Sequence, residues 1–191
     1  GYFWEGTTST QTARGPSLTL LLQCEGPSRS RYMGIQELYA SVQKLRDAGG
    51  KFEHGKHISA DGTVQDGYEA AWEELTGEPV RYATPRFQQP VVMTTDAFDW
   101  QPTTAPGVQE KHLGAFSERK LELRFLKFEA DAELPLPAVT VPHLFYVLRG
   151  SGFMNEAAIH HACAMRLDAD EGATLKASPE GLELFVIRLP E

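Results

Sequence analysis

Residues 143–154 read HLFYVLRGSGFM, a run of β-forming residues broken by Gly150 and Gly152. Strand geometry alternates side chains between two faces, so His143 and Tyr146 fall on opposite sides of it. The same rhythm continues on both flanks. RYATPRF, QPVVMTT, HLGAFSER and KLELRFLKFEA precede it, and AIHHACAMRL, GATLKAS and LELFVIRL follow. Turn residues separate them at Glu118-Arg119, Pro135, Asp168 to Gly172 and Pro179 to Gly181. In LELRF, Leu121, Leu123 and Phe125 alternate with Glu122 and Arg124, which predicts one face in a core and one in water. Six or more closely spaced strands with no helix between them predict a mainly β fold, an antiparallel sandwich or barrel.

Toward the N-terminus the rhythm changes. Ile35, Leu38, Tyr39, Val42 and Leu45 recur at helical spacing between Gly34 and Ala48, and Gly49-Gly50 stops that helix. A second amphipathic helix is predicted from Asp66 to Leu75, with Asp66 as its cap, Tyr68, Ala71, Trp72 and Leu75 on one face, and Gly77 and Pro79 at its end. The polar, Gly-rich stretch between them reads as a surface loop, with His54 and His57 solvated on it. SLTLLLQC, residues 17–24, reads as a buried strand closed by Gly26-Pro27. The expected division is a mixed strand and helix segment over 1–87 and a barrel over 88–191.

The 191 residues are 41% hydrophobic, 10% aromatic and 23% charged, which excludes a disordered or collagen-like chain. A net charge of −8 repels phosphate backbones and anionic lipids, so nucleic acid and membrane surfaces are not expected as partners. Cys24 and Cys163 have neither zinc-ligand spacing nor the density of a disulfide framework, and read as reduced, buried thiols. The chain opens Gly1-Tyr2-Phe3-Trp4 without Met or an export signal. A cytoplasmic location and an origin as part of a longer chain are therefore expected.

The string HLFYVLRGSG, followed by a further strand and the turn DADEGATL, resembles the heart of the cupin superfamily. The resemblance covers about Phe98 to Pro190 and implies a double-stranded β-helix, or jelly-roll barrel, preceded by the helical segment. In that family the first motif supplies two His and a Glu, and the second a further His. Counting from Gly150, the Glu position holds His143 and the two His positions fall near Leu136 and Ala138. The remaining His position falls at about Glu183 or Leu184. The usual ligand set for a divalent iron, manganese, nickel or zinc ion is therefore missing, with His143 the sole candidate at a motif position. The resemblance further implies a homo-oligomer, and a parent protein that is a bicupin.

His143 is the leading candidate as metal ligand, general base or hydrogen-bonding group, since imidazole titrates near neutrality. Glu183 is the candidate carboxylate acid or base, the alternative being that it faces solvent beside Leu182, Leu184 and Val186. His160 and His161 are adjacent in a strand and point to opposite faces, so one of them can join His143. His112 precedes an apolar strand and can reach the barrel mouth. Glu122 and Arg124 can contact a polar ligand or form an exposed cross-strand charge pair, and Arg29 and Arg31 read as a capping turn with solvated guanidiniums, the alternative being an anion site at a helix start. The resemblance, with a His in the barrel, implies a cupin-type enzyme domain acting on a cyclic or aromatic ketone or acid by oxygenation, isomerisation or proton transfer. The competing readings are a sensory barrel that binds a small molecule, and a structural barrel that serves dimerisation.

Overall fold

The computed structural model describes residues 1–3, 12–16, 20, 33–82, 84, 87, 89–116 and 120–189. The strand expected over 17–24, apart from Leu20, lies outside the described residues, as do Trp4, Cys24, Arg29, Arg31 and the turn at 118–119. The chain divides into two compact units, Tyr2–Pro90 and Val91–Glu191.

In the first unit, α1 (Ile35–Asp47) and α2 (Gly67–Thr76) flank a three-stranded antiparallel sheet of β1 (Lys51–Glu53), β2 (Lys56–Ile58) and β3 (Val64–Asp66). Glu37 accepts a hydrogen bond from the Gly34 amide at 2.9 Å, satisfying a donor at the start of α1. Asp66 caps α2 as its sequence position predicts, accepting from the Tyr68 and Glu69 amides at 3.0 and 3.4 Å. Gly77, at φ +73°, ends that helix in the left-handed conformation.

The stretch read as a loop is the sheet itself. Its strands are three residues long, too short for an alternating pattern to register. His54 and Gly55, at φ 47° and 76°, make the two-residue hairpin turn that closes β1 onto β2. His57 is accordingly buried rather than solvated, with its ring 4.9 Å from that of Phe52. The apolar face of α1 is narrower than its sequence suggests. Leu38 and Val42 pack with Met33, Ala71 and Trp72, whereas Ile35 and Tyr39 remain 61% and 67% exposed.

The second unit is an antiparallel jelly-roll barrel of β4 (Gln101–Pro102), β5 (Val108–Phe116), β6 (Leu121–Phe128), β7 (Glu133–Leu136), β8 (His143–Met154), β9 (Ala157–His160), β10 (Ala164–Leu167) and β11 (Ala173–Arg188). The segments RYATPRF and QPVVMTT form no strand among their described residues, where a 3₁₀ turn at Thr95–Ala97 follows Pro90. Pro85 and Pro90 each lack the amide donor a ladder needs.

The long strands β8 and β11 run through both halves of the barrel. The start of β8 pairs with β10 and the end of β11, while the end of β8 pairs with β9 and the start of β11. Gly150, Gly152 and the turn Pro179 to Gly181, expected to end strands, instead mark the place where the two strands change register. Gly150 and Gly181 have φ of +74° and +80° there. A Cβ on Gly150 would collide with the Gly181 carbonyl, so the close approach requires glycine. Pro135 likewise lies inside β7, whose position off the main strand path suits a residue without an amide proton. Between the halves lies one core, built from Val108, Leu126, Phe128, Phe145, Val147, Leu175, Leu184 and Val186 among others.

Candidate functional site

The ladder registers place six polar side chains at one end of the inner face. One cross-strand row runs from Leu167 through His143, Arg188 and Glu122 to Ala115. The next runs from Phe145 through Val186 and Arg124 to His112, and a third from Val147 through Leu184 and Leu126 to Glu110. Phe145, Val186, Val147, Leu184 and Leu126 belong to the barrel core, so these rows face inward. The first row has the same parity and faces inward with them.

This reverses the expectation for LELRF. Glu122 and Arg124 point toward the barrel interior, not into water, and share their face with Leu126 and Phe128. Leu123 and Phe125 take the outer face. The apolar residues of β6 occur on both faces, so alternation over five residues assigned the core to the wrong one.

His143 is 9% exposed. Its Nδ1 lies 3.0 Å from the Val141 carbonyl oxygen. A carbonyl only accepts, so Nδ1 carries the proton and donates, which leaves Nε2 with its lone pair. Nε2 has no hydrogen-bond partner among the described residues. Burial pushes the imidazole pKa below its ordinary 6.5, outweighing the raising effect of the Val141 carbonyl. Arg124 and Arg188 lower it further, and Glu122 partly opposes them. His143 is therefore a neutral base at pH 7. Arg124 reaches Glu110 at 3.5 Å, with each side chain about a third exposed, so that pair is a loose one.

Two expected members lie elsewhere. Glu183 belongs to the outer face, standing opposite Lys127 and Arg149, because its neighbours Leu182 and Leu184 fill the core. His160 is exposed at the end of β9 opposite Ser151, eight residues along β8 from His143. His161 lies in the following turn, with its Nδ1 2.9 Å from the Leu148 carbonyl oxygen. Neither joins His143. His112 does share the polar end, opposite Arg124, although exposed. Arg188 and Glu110 escaped the sequence reading. The even-numbered positions of LELFVIR, Leu182, Leu184 and Val186, carry the signal for Arg188, which continues their parity.

A divalent metal does not fit these residues. Leu136 and Ala138 offer no donor, and among the described residues no three His, Cys, Asp or Glu converge. One imidazole cannot hold such an ion, since a tight site needs several converging ligands. Among the described residues no helix is long and apolar enough to cross a membrane.

No protein family's sequence profile matches the chain, and no curated protein is similar to it in sequence. Solved structures of cupin-type proteins are similar to about half of it. The polyketide cyclase RemF from Streptomyces resistomycificus is 12% identical, over 52% of this chain and 79% of its own, with a TM-score of 0.47. An RmlC-like cupin protein from Ralstonia eutropha is 20% identical, over 52% and 68%, with a TM-score of 0.47. Salicylate 1,2-dioxygenase from Pseudoaminobacter salicylatoxidans is 21% identical, over 46% of this chain and 26% of its own, with a TM-score of 0.41.

Proposed function

We propose that the barrel is a metal-independent cupin-type domain that binds a small cyclic or aromatic ketone or acid at the His143 end of its interior and transfers a proton to or from it. The observation that supports this reading is the neutral His143. Its Nδ1–H is held by the Val141 carbonyl, and its Nε2 lone pair is unspent beside Arg124 and Arg188. A carbon acid bound there loses its proton to Nε2, and the oxyanion that develops meets the Arg124 guanidinium. Protonated His143 then returns the proton at the same or a neighbouring atom, which gives isomerisation or exchange. Positioned bases of this kind contribute about 10²–10⁴-fold. The apolar rows beneath, with Phe145 and Val186, exclude water from the body of the substrate.

Incubation with enolisable cyclic and aromatic ketones and keto acids in D₂O, followed by NMR, tests the reading. At least one substrate is expected to exchange faster than in buffer, and His143→Gln to reduce that rate about 10²-fold or more. Exchange that His143→Gln leaves unchanged removes His143 from the role. Saturable binding without exchange would convert the domain into a ligand-binding barrel.

A further inference from the structure

A recess with a volume of about 430 Å³ lies on the outer face of the same sheet, opposite the face that carries His143. That size is within the range of roughly 300–1,000 Å³ occupied by small-molecule sites. Its floor includes Phe125 of β6 and one wall is Trp100, which follows the 3₁₀ turn. Lys111 of β5 reaches into it and is only 8% exposed. Its Nζ donates to the Thr95 carbonyl oxygen at 2.9 Å and stands 4.9 Å from the centre of the Trp100 ring. Lys127 approaches the same ring at 5.8 Å. Arg149 and Glu183 complete the next cross-strand row with Lys127.

The charges here are unspent. Among the described residues no carboxylate lies within ion-pair distance of Lys111, Lys127 or Arg149. An ammonium has three donors, and Lys111 has placed one on a carbonyl. A buried cation without an anionic partner is costly, and an incoming anion supplies the missing acceptor. Three cations face the carboxylates of Glu183 and Asp96, leaving one positive charge to match in a chain whose net charge is −8. A monoanion completes that balance and a dianion overshoots it. Phe125 offers the apolar surface against which a flat ring packs.

We propose that this outer recess binds a small aromatic carboxylate, its charged group between Lys111 and Lys127 and its ring against Phe125. The site is separate from the His143 end and does not depend on what happens there. Full-length protein titrated with benzoate, benzamide, phenyl phosphate and inorganic phosphate, following the Trp100 indole N–H resonance assigned with Trp100→Phe, tests it. Benzoate is expected to give a saturable shift that weakens with added salt, and benzamide none. Lys111→Met deletes a buried group and risks misfolding, so the exposed residues carry the mutational arm. Lys127→Gln and Arg149→Gln should each weaken benzoate about threefold to tenfold, and His143→Gln should leave it unchanged. No saturable shift with benzoate, an equal response to benzamide, or unaltered affinity in both exposed variants would overturn the site. Tighter phenyl phosphate would overturn the monoanion assignment, and inorganic phosphate matching benzoate would overturn the aromatic one.

Discussion

The titration of His143 bears on stability and on the proposed chemistry alike. In the unfolded chain its imidazole titrates near 6.5, and in the fold it titrates lower because burial penalises the imidazolium. Between those two values the unfolded chain holds more protons, so stability falls as the pH drops below about 6.5 and is insensitive to this group above it. Thermal melts across that window should show His143→Gln with a flatter dependence of Tm on pH than the parent. Parallel curves would contradict the buried neutral state. The same titration governs the proposed base, so exchange activity should rise with pH below 6.5 and level off at neutrality. Gly150 is the second decisive residue, with a positive φ and the Gly181 carbonyl where a Cβ would go. Gly150→Ala combines about 1–2 kcal/mol of backbone strain with a backbone collision worth about 1–3 kcal/mol. Chemical denaturation should register a loss of at least about 2 kcal/mol.

At the scale of elements, β6 shows why the site was only half legible. Glu122 and Arg124 stand out in LELRF as a polar pair on one face, and that much is correct. Which face turns inward is decided by Leu126 and Phe128, the next two residues on the Glu122 and Arg124 face, whose burial against β11 outweighs that of Leu123 and Phe125. Glu183 takes the outward of its two readings for the matching reason, because Leu182, Leu184 and Val186 claim the interior of β11. Leu184 is fully buried at the centre of this arrangement. Leu184→Ala should cost about 2–5 kcal/mol, read as a lower denaturation midpoint at unchanged slope. Helices α1 and α2 were readable because their caps and spacing are local. Asp66→Ala, which strips the α2 cap, should cost about 0.5–2 kcal/mol in the same measurement.

The whole chain comprises two compact units with separate buried clusters, one around Ala71 and Trp72 and one inside the barrel. A unit with its own core can fold alone. Residues 91–191, expressed separately, should therefore unfold in a single cooperative transition with a β-type circular dichroism spectrum. A fragment that shows no cooperative transition would tie the barrel's stability to residues 2–90.

Local rules were enough for the helices, their stops and the β character of the second half, because each depends on neighbours a few residues apart in the chain. The three-residue strands around His57 were invisible, since pairing and not composition makes them strands. The interior direction of β6 and β11, the meeting of His143 with Arg124 and Arg188, and the burial of Lys111 beside Trp100 needed the folded chain. Each depends on register between segments distant in sequence, where shifting a strand by one residue exchanges its two faces.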